Sequence, residues 1–477
     1  MTKSLLAFDT NRIKEYVFGT DKLKEIRGSS ARLDQLNRQL MSRLVWRHDP
    51  NRQEIYAHGG AGLFVVESNQ VDLARRSVEK AYLNHTGGAA SVTGTSVPLP
   101  AGFDRNNGNA RHLIRLLQFQ MRQSKDQPTS ERAITTLPHF RHCGSCAEFA
   151  ATIQNNTETI CQACQLRRQT KRGLGERLVS QCGLSGTFHQ DLSELAGSDG
   201  YIGLVYADGN NMGQALEQQN TLGEIQTFAR TVDDAIHHST CEAILQHLQP
   251  TNNKFPFVPL LLGGDDLVIV TRARSAIAAT ITLLKTFEDY TGQHLNQRLS
   301  LSAGVVLAHA KFPFRTMLNI AESALKFAKH EAVNRQLTDR SLINFLVITS
   351  ANHLDFKGYY SEMLKSQPQP QGPTWIRTLR PYTPEDLQHL VSVAHALKDA
   401  PKGRLQVLGE SVFLSEGRSI IEGLTMLNRW GNDKQVKQLT DLVRKPGLGR
   451  YFFPWNGDAN EWRTPILDLV ELFDFIK

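Results

Sequence analysis

Two apolar strands joined by a turn of glycines and aspartates constrain this chain more than any other feature of its sequence. The run Leu260-Leu261-Leu262-Gly263-Gly264-Asp265-Asp266-Leu267-Val268-Ile269-Val270 predicts a buried hairpin with two acids at its tip. Gly263 and Gly264 let a triphosphate approach the backbone closely, and adjacent carboxylates supply the hard oxygen ligands that Mg²⁺ prefers. Gly-Asp is also an ordinary hairpin turn, so a distant acid is needed to separate the two interpretations.

Asp208 is that distant acid. It follows a predicted strand over residues 201–206, in the run Tyr206-Ala207-Asp208-Gly209-Asn210-Asn211-Met212-Gly213. When this strand lies beside the hairpin in one sheet, Asp208 converges with Asp265 and Asp266 and supplies the charge that two divalent ions, Mg²⁺ or Mn²⁺, require. An ordinary turn needs no distant acid. We therefore expect a catalytic metal site here, with Gly209 and Asn211 beside the nucleotide.

The predicted helix over residues 315–330 carries candidate phosphate ligands. Its apolar residues form a stripe at helical spacing, whereas Glu322, Lys326 and Lys329 fall together on the other side. Alone, this pattern is typical of a solvated charged face. Because the helix follows the glycine hairpin and the next predicted strand, Lys326 or Lys329 could instead neutralise a triphosphate.

The same order of elements occurs twice in the 477 residues. A predicted strand over residues 4–8 leads to Asp9, 50 residues before the turn Gly59-Gly60-Ala61-Gly62, and 55 residues separate Asp208 from Gly263. The repeated unit predicts ferredoxin-like α+β sheets, the architecture of polymerase and cyclase palms. We expect a first palm over residues 1–105, a zinc-binding helical insert over 106–198, a second palm over 199–348 and a helical domain over 349–477.

Four of the six cysteines form two knuckles, Cys143-Gly144-Ser145-Cys146 and Cys161-Gln162-Ala163-Cys164. Their spacing is close to that of a structural zinc site, in which four thiolates leave no open coordination position. We therefore expect Zn²⁺ to stabilise the fold here, against the alternatives of free cysteines or redox pairs. Cys182 and Cys241 have no knuckle partner, and we expect both to be plain buried cysteines in a reducing compartment.

Composition excludes few functions. Lysine and arginine total 54 and the acids 47, a net charge of +7 that suits a phosphate-rich partner as well as an ordinary basic surface. No run approaches the ~18 apolar residues of a membrane helix, and the apolar run near the N-terminus is too short for a signal peptide. We therefore expect a cytoplasmic protein without membrane contact.

Four of these motifs, in this order, resemble the second palm of the large polymerase-like subunit of type III CRISPR effector complexes. They are Ala207-Asp208-Gly209-Asn210-Asn211-Met212-Gly213, the Gly-Gly-Asp-Asp turn, Ser302-Ala303-Gly304-Val305 and Ala321-Glu322-Ser323-Ala324-Leu325-Lys326-Phe327-Ala328-Lys329. The runs Phe8-Asp9-Thr10-Asn11-Arg12-Ile13-Lys14-Glu15-Tyr16-Val17-Phe18 and Leu23-Lys24-Glu25-Ile26-Arg27-Gly28-Ser29-Ser30 resemble the first palm of that family. The run Arg380-Pro381-Tyr382-Thr383-Pro384-Glu385-Asp386-Leu387 resembles its helical last domain, so the resemblance spans nearly the whole chain.

The resemblance implies a reaction and partners that the residues alone do not give. It implies that Asp208, Asp265 and Asp266 hold Mg²⁺ while ATP is converted into a cyclic oligoadenylate messenger, and that zinc lies between the palms. It also implies activation by target RNA paired with guide RNA. The expected partners are these RNAs and other effector subunits, including a small subunit at the C-terminal domain.

The sequence differs from the family pattern at two places, and each difference removes an activity from the expected function. The first palm has Gly59-Gly60-Ala61-Gly62 where the second has Gly263-Gly264-Asp265-Asp266, so Gly59 and Gly60 are expected to bind nucleotide, if at all, without catalysis. Family members often begin with an HD nuclease domain, whereas the first-palm motif here starts within ten residues of Met1. We therefore expect no DNase activity.

Two alternatives stay open. The palms could only scaffold a ribonucleoprotein and sense its RNA, although a scaffold has no need to concentrate three acids. The chain could also be a free-standing cyclic nucleotide synthase, similar to GGDEF-type cyclases, that acts without guide RNA.

Overall fold

The computed structural model describes residues 2–126, 141–155, 158–170, 173–349, 355–366, 372–444 and 450–476. Parts of the predicted regions 106–198 and 349–477 therefore lie outside the described residues. The described chain has a mixed α+β fold with two large sheets and a mostly helical C-terminal region. None of its described helices is both long and apolar enough to span a membrane.

Residues 3–98 build the first palm, a four-stranded antiparallel sheet. Its elements and the helix that follows are β1 (Lys3–Asn11), α1 (Ile13–Val17), α2 (Leu23–Gln35), α3 (Met41–His48), β2 (Gln53–His58), β3 (Ala61–Glu67), α4 (Val71–Thr86), β4 (Ser91–Pro98) and α5 (Arg111–Asp126). The strand order is β2-β3-β1-β4. α2 and α3 are separated by a π turn over Leu36–Leu40.

Both faces of the first palm are covered because β1 carries apolar side chains on each. Phe8 packs with Phe64 under α3 and α4, and Leu5 packs against α5 on the other face. Since side chains alternate along a strand, Asp9 lies on the α5 face. There Lys125 Nζ lies 2.5 Å from the Asp9 carboxylate.

Short elements fill the described part of the insert between the palms. They are β5 (Ile153–Asn155), β6 (Glu158–Ile160), α6 (Gln162–Gln169), α7 (Leu174–Gln181), β7 (Thr187–Phe188) and α8 (Leu192–Ala196). β5 and β6 pair as a small hairpin. α6 contacts α2 and α4, so this part of the insert packs on the first palm.

Residues 201–347 build the second palm, a five-stranded sheet. Its elements are β8 (Tyr201–Gly209), α9 (Met212–Glu217), α10 (Leu222–His247), β9 (Lys254–Phe255), β10 (Phe257–Gly263), β11 (Asp266–Arg272), α11 (Ala273–His294), β12 (Leu301–His309), α12 (Phe314–Asn334) and β13 (Leu342–Val347). The strand order is β10-β11-β8-β12-β13. β13, which was not among the predicted strands, runs parallel to β12.

Helices cover both faces of the second palm as well. A Cβ on Gly203 of β8 would lie 2.4 Å from the Ala276 side chain of α11, and one on Gly304 of β12 would lie 2.0 Å from the Ala321 carbonyl oxygen of α12. The register sets these two glycines on opposite faces of the sheet. α11, with α10 beside it, therefore covers one face, and α12 covers the face that carries Asp208.

The strand register corrects how the two hairpins align. The turns are His58-Gly59-Gly60-Ala61 in the first palm and Gly263-Gly264-Asp265-Asp266 in the second, and in each the first and last residues pair across the hairpin. Gly60 and Ala61 therefore stand where the second palm has Asp265 and Asp266. This is one position earlier than an alignment of Gly59 with Gly263 predicts, because strand pairing rather than the run of glycines sets the turn.

The residues at the ends of the two central strands also correspond. The equivalent pairs are Asp9 and Asp208, Asn11 and Asn210, and Arg12 and Asn211. Each asparagine bonds two hydroxyl groups, both on β4 in the first palm, and one just before β12 and one within it in the second. The next residue in each palm is left-handed, with φ of 53° and 54°, and begins a short helix. These shared details support a duplication.

The C-terminal region includes a small sheet that was not predicted. Its elements are α13 (Phe356–Tyr359), β14 (Thr374–Ile376), α14 (Pro384–Ala396), α15 (Lys402–Ser411), α16 (Glu416–Asn428), α17 (Asp433–Val443), β15 (Arg450–Phe452), β16 (Trp455–Gly457), β17 (Glu461–Arg463) and α18 (Ile466–Ile476). Arg380 anchors this region on the second palm. Its fully buried guanidinium lies 2.9 Å from Asp468 and donates to the Phe345 carbonyl of β13 at 2.9 Å.

Cys182 and Cys241 form a disulfide, so the expectation of two plain buried cysteines was wrong. Their Cα atoms lie 5.3 Å apart, with a sequence separation of 59 residues. Cys182 follows α7 and Cys241 lies in α10, so the bond ties the insert to the second palm. The sequence carries no signal for this pair because its members come from two different regions.

Candidate functional site

Three aspartates converge at the tip of the second-palm sheet. Asp208 lies at the end of β8, Asp265 in the hairpin turn and Asp266 at the start of β11. The last pair between β8 and β11 at this end of the sheet is Ala207 with Leu267. Asp208 and Asp266 are the next residues beyond that pair, so they lie opposite one another. Asp208 lies close enough to Asp266 to raise the pKa of that carboxyl. Asp265 folds back over β8, where a Cβ on Gly209 would lie 2.4 Å from its Oδ2.

The three carboxylates share one half-buried site and repel one another. Burial, followed by the charge of Asp208, raises the pKa of Asp265 to about 6. Burial and the charges of Asp208 and Asp265 raise the pKa of Asp266 well above its ordinary value. The donor atoms are all oxygens, and their excess negative charge is what a hard divalent cation relieves. The residues present therefore fit Mg²⁺ or Mn²⁺.

The two candidate lysines of α12 have different surroundings. Lys329 Nζ lies 2.5 Å from Asp208 Oδ2 and donates to the Gly209 carbonyl at 2.7 Å. Lys326 is 74% exposed and pairs with Glu322 at 3.0 Å. The structure therefore brings Lys329 to the acids and leaves Lys326 one step away, on Glu322.

The glycine turns of the two palms press against each other. A Cβ on Gly59 would lie 2.9 Å from Gly264 Cα, and one on Gly263 would lie 3.3 Å from Gly59 Cα. Gly59 and Gly264 both have positive φ, at 61° and 65°, so glycine suits these positions on conformational grounds too. Gly60, Gly263 and Asp266 line a cavity of about 30 Å³ beneath the contact, too small for a nucleotide.

Two further residues predicted to lie at the site, Gly209 and Asn211, have different surroundings. Gly209 lies within the site, whereas Asn211 is exposed at the start of α9 and its side chain does not cap that helix. The neighbouring Asn210 is buried and bonds Ser300 and Ser302 at 2.9 Å each. Sequence reasoning did not select Asn210, although an asparagine directly after a buried strand is a signal for such an anchor.

Asp233 of α10 links the two palms behind the glycine turns. Its carboxylate accepts hydrogen bonds from Arg38 at 2.7 and 2.8 Å and from the Gly264 N–H at 3.3 Å. His58 Nδ1 lies 3.6 Å away. Burial acts to raise the pKa of Asp233, but Arg38 and His58 together lower it to about 2. One carboxylate thus holds both a first-palm arginine and the second-palm turn.

Sequence reasoning missed Asp233, because the acidic pair Asp233-Asp234 in a long helix is typical of a solvated face. The available signal was its position beside Val232 and Ile236, which are both buried, whereas Asp234 is exposed. An acid on the buried side of a helix needs a charged or hydrogen-bonding partner. The sequence does not identify that partner, since Arg38 lies 195 residues away.

The four knuckle cysteines form a second candidate site. Cys143, Cys146, Cys161 and Cys164 are all buried, and their Sγ atoms lie within 4.8 Å of one another. The Sγ atoms of Cys146 and Cys161 are 3.8 Å apart, close to the ~3.8 Å edge of a tetrahedron with Zn–S bonds of ~2.3 Å. Backbone N–H groups, including that of Ser145, donate to sulfur at 3.2 to 3.4 Å. The donor set fits structural zinc.

Buried charges attach the cysteine cluster to the first palm. Glu25 of α2 is 1% exposed and accepts hydrogen bonds from Ser145 and Arg168, each at 2.7 Å. A Cβ on Gly28 of α2 would lie 1.9 Å from the Arg167 carbonyl oxygen of α6, so glycine is required for this approach. The resemblance implied zinc between the palms, and the cluster lies in the insert between them, packed on α2.

Comparison with known proteins gives a family match for the second palm and structural matches for the whole chain. Residues 201–337 match the family model described as Cas10/Cmr2, second palm domain. Similar solved structures include a Csm1-Csm4 cassette in complex with cA4 (13% identity, TM-score 0.62), Csm1 in T. onnurineus (14%, 0.61) and a Csm1-Csm4 cassette in complex with one ATP (15%, 0.57). Each similarity covers 100% of this chain and 69% of the other chain. No curated protein matches this chain.

Proposed function

Since this Cas10-like chain carries a Cas10/Cmr2 second palm domain over residues 201–337, we propose that it is the nucleotidyltransferase subunit of a type III CRISPR effector complex. It converts ATP into cyclic oligoadenylates at the second palm. The convergence of Asp208, Asp265 and Asp266 beside Lys329 carries this proposal. A scaffold that only sensed RNA would not need three acids held at a cost in electrostatic free energy.

The residues in and around the acid cluster have different roles in the proposed nucleotidyl transfer. Asp208, Asp265 and Asp266 would hold Mg²⁺ or Mn²⁺, which when bound lowers the pKa of a ribose hydroxyl and neutralises charge on the leaving pyrophosphate. Lys329 approaches the same carboxylates from α12 and offers an ammonium group to the incoming phosphates. The turn at Gly264 packs against Gly59, which orients the hairpin acids on a rigid backbone.

The catalytic centre is confined to the second palm in this proposal. The first palm keeps Asp9 at the position of Asp208, but Gly60 and Ala61 occupy the two hairpin positions. The acid at these three positions, Asp9, is paired with Lys125 at 2.5 Å. A single carboxylate neutralised by a lysine does not supply the charge for two divalent ions.

The proposed substrate and partners draw on the similar structures. Solved Csm1-Csm4 cassettes hold ATP and cA4, which supports ATP as substrate, a cyclic adenylate as product and a second subunit as neighbour for this chain. Guide RNA paired with target RNA is the proposed activator. The net charge of +7 is compatible with a phosphate-rich partner.

Product formation by the reconstituted complex tests the proposal. The complex with guide RNA, complementary target RNA, Mg²⁺ and labelled ATP should form oligoadenylates, and Asp265→Asn with Asp266→Asn should reduce the rate by at least ~100-fold. The matched control is Asp234→Asn, which removes an exposed acid of the same palm and should leave the rate unchanged.

Each contrary outcome discards a defined part of the proposal. A wild-type complex that forms no product with any of the four ribonucleotides would favour the scaffold. Full activity in the double variant would discard the acid site. Product from the isolated chain without RNA would instead favour the free-standing synthase.

A further inference from the structure

The first short helix of each palm contacts a helix outside its own palm, which is α12 of the second palm for α1 and α5, the helix that follows the first palm, for α9. α1 of the first palm packs on α12, where the rings of Phe18 and Phe314 are 6.2 Å apart and Lys14 Nζ lies 3.2 Å from Glu322 Oε1. α9 of the second palm in turn contacts α5. Because α5 and α12 follow equivalent strands, the two contacts are reciprocal.

Of the two short helices in these contacts, only α1 carries a lysine, which is Lys14. Since Arg12 and Asn211 are equivalent, Lys14 corresponds to Gly213. A Cβ on Gly213 would meet nothing within 4 Å, so packing does not require glycine there. The lysine thus faces the palm that has the hairpin acids, whereas the equivalent position of that palm is a glycine with open space around it.

Lys14 lies directly beside the acid cluster. Its Nζ is 4.7 Å from the centre of the Tyr206 ring, and Tyr206 precedes Asp208 by two residues on the same face of β8. Burial and neighbouring acids raise the pKa of Asp266, and the Lys14 ammonium opposes that rise. Lys329 meanwhile contacts Asp208. One ammonium group from each palm therefore lies at the acid cluster, Lys329 in contact with Asp208 and Lys14 over the Tyr206 ring.

We propose that Lys14 of the first palm binds the triphosphate of the nucleotide that reacts at the second palm, and that Glu322 holds Lys14 ready beforehand. The inference rests on the proposed function and adds a first-palm residue to its site. Lys14 is 44% exposed, so its ammonium reaches incoming phosphate without crossing the core. Glu322 also pairs with Lys326 at 3.0 Å. When Lys14 moves from Glu322 to a phosphate, the Glu322 carboxylate therefore still has a cationic partner.

Equilibrium binding to the full chain in the presence of Mg²⁺ tests this role. Lys14→Ala should raise the Kd for ATP by about tenfold, because one charge-assisted phosphate contact is lost. The Kd for adenosine, which has no phosphate, should not change. Lys14→Arg should keep most of the ATP affinity. The matched control is Lys22→Ala, which removes another first-palm lysine from an ion pair, with Glu158 at 2.7 Å.

Glu322→Gln separates phosphate binding from a structural salt bridge. If Lys14 only holds α1 against α12 through its salt bridge with Glu322, Lys14→Ala and Glu322→Gln both remove that salt bridge and both weaken ATP binding. When Lys14 binds phosphate, Glu322→Gln frees it and lowers the Kd for ATP, in the direction opposite to Lys14→Ala. In turnover by the complex, Lys14→Ala should raise KM with a smaller effect on kcat.

The failure of this inference differs from the failure of the proposed function. A wild-type chain that neither binds ATP nor forms product in its complex overturns both. A wild-type chain that does both, with Lys14→Ala indistinguishable from Lys22→Ala, overturns the role of Lys14 alone. Equal weakening of ATP and adenosine by Lys14→Ala would also overturn it, since that pattern reports a general change in the site.

Discussion

Asp233→Asn removes the charge that joins the two palms behind the glycine turns. Asparagine keeps the shape of the side chain but no longer matches the bidentate Arg38 guanidinium, whose nitrogens lie 2.7 and 2.8 Å from the carboxylate oxygens. The Gly264 N–H also loses a charged acceptor. We expect the turn that carries Asp265 to open more often.

The expected size follows from the pKa of Asp233. Its pKa lies at about 2 in the folded protein against an ordinary value of 3.8. That difference corresponds to about 2 kcal/mol of interaction with the charged form. The side chain is 11% exposed, so solvent screens the interaction little. Arg38 keeps Asp34 at 3.1 Å, so its own charge is not stranded by the substitution.

Hydrogen exchange followed by mass spectrometry measures this locally. A cost of about 2 kcal/mol at the contact corresponds to roughly 30-fold faster exchange in peptides covering residues 260–270 and 53–67. Asp234→Asn is the control, because Asp234 is 54% exposed and its pair with Arg230 contributes little. Equal exchange in the two variants would refute the reasoning.

The pH dependence of the Asp233→Asn effect has a definite sign. A carboxyl whose pKa is lowered by folding stabilises the protein above its unfolded pKa and loses that contribution as the pH falls through the folded value. The difference in Tm between the wild type and Asp233→Asn should be full at pH 5 and should shrink between about pH 4 and pH 2. A difference that grows on acidification would contradict the assignment.

Two further predictions concern the cysteines. Elemental analysis should find one zinc per chain, and Cys146→Ser should abolish it and lower the Tm, while Cys182→Ser leaves the zinc content unchanged; equal zinc in the wild type and Cys146→Ser would discard the site. Alkylation without reductant followed by mass spectrometry should find Cys182 linked to Cys241, and Cys241→Ser should cost about 4 kcal/mol for a loop of 59 residues. A free thiol at Cys241 in freshly purified protein would contradict the bond.

The acid cluster could be predicted because its signals are local. The apolar run through the Gly263-Gly264-Asp265-Asp266 turn predicts a buried hairpin, and Asp208 ends a strand that is buried along most of its length. A central strand with an acid at its end and a hairpin with acids at its tip meet whenever they share a sheet. The same local pattern predicted the four-cysteine cluster, which the structure brings together.

The register of the first palm could not be predicted, because its glycines serve different purposes. Gly59 and Gly60 adopt the positive φ of a turn, at 61° and 86°. Gly62 lies on the strand, where a Cβ would come 2.4 Å from the sulfur of Met41 in α3. Gly62 is therefore required by packing and not by the turn, and the sequence alone does not distinguish these two roles of glycine. The packing of α3 decides the register, and that is a tertiary contact.

The difference between Lys326 and Lys329 is also tertiary. Both lie on the charged side of α12, so helical periodicity treats them alike. Lys329 meets Asp208 because α12 crosses the end of β8 at that turn, whereas Lys326 lies over Glu322. No pattern within the helix records which turn lies over the neighbouring strand.

A palm without hairpin acids still contributes to the acid site of the other palm, and it does so in three separable ways. Gly59 limits the position of the Gly263-Gly264 turn by direct backbone contact, and Arg38 holds the same turn through Asp233. These two contacts act on geometry, so losing either should lower the rate without changing which ligand binds. Lys14 acts on charge, so its loss should appear in the affinity for phosphate. Substitutions at Arg38 and Lys14 should therefore alter different kinetic parameters, and a double variant should combine the two effects nearly additively.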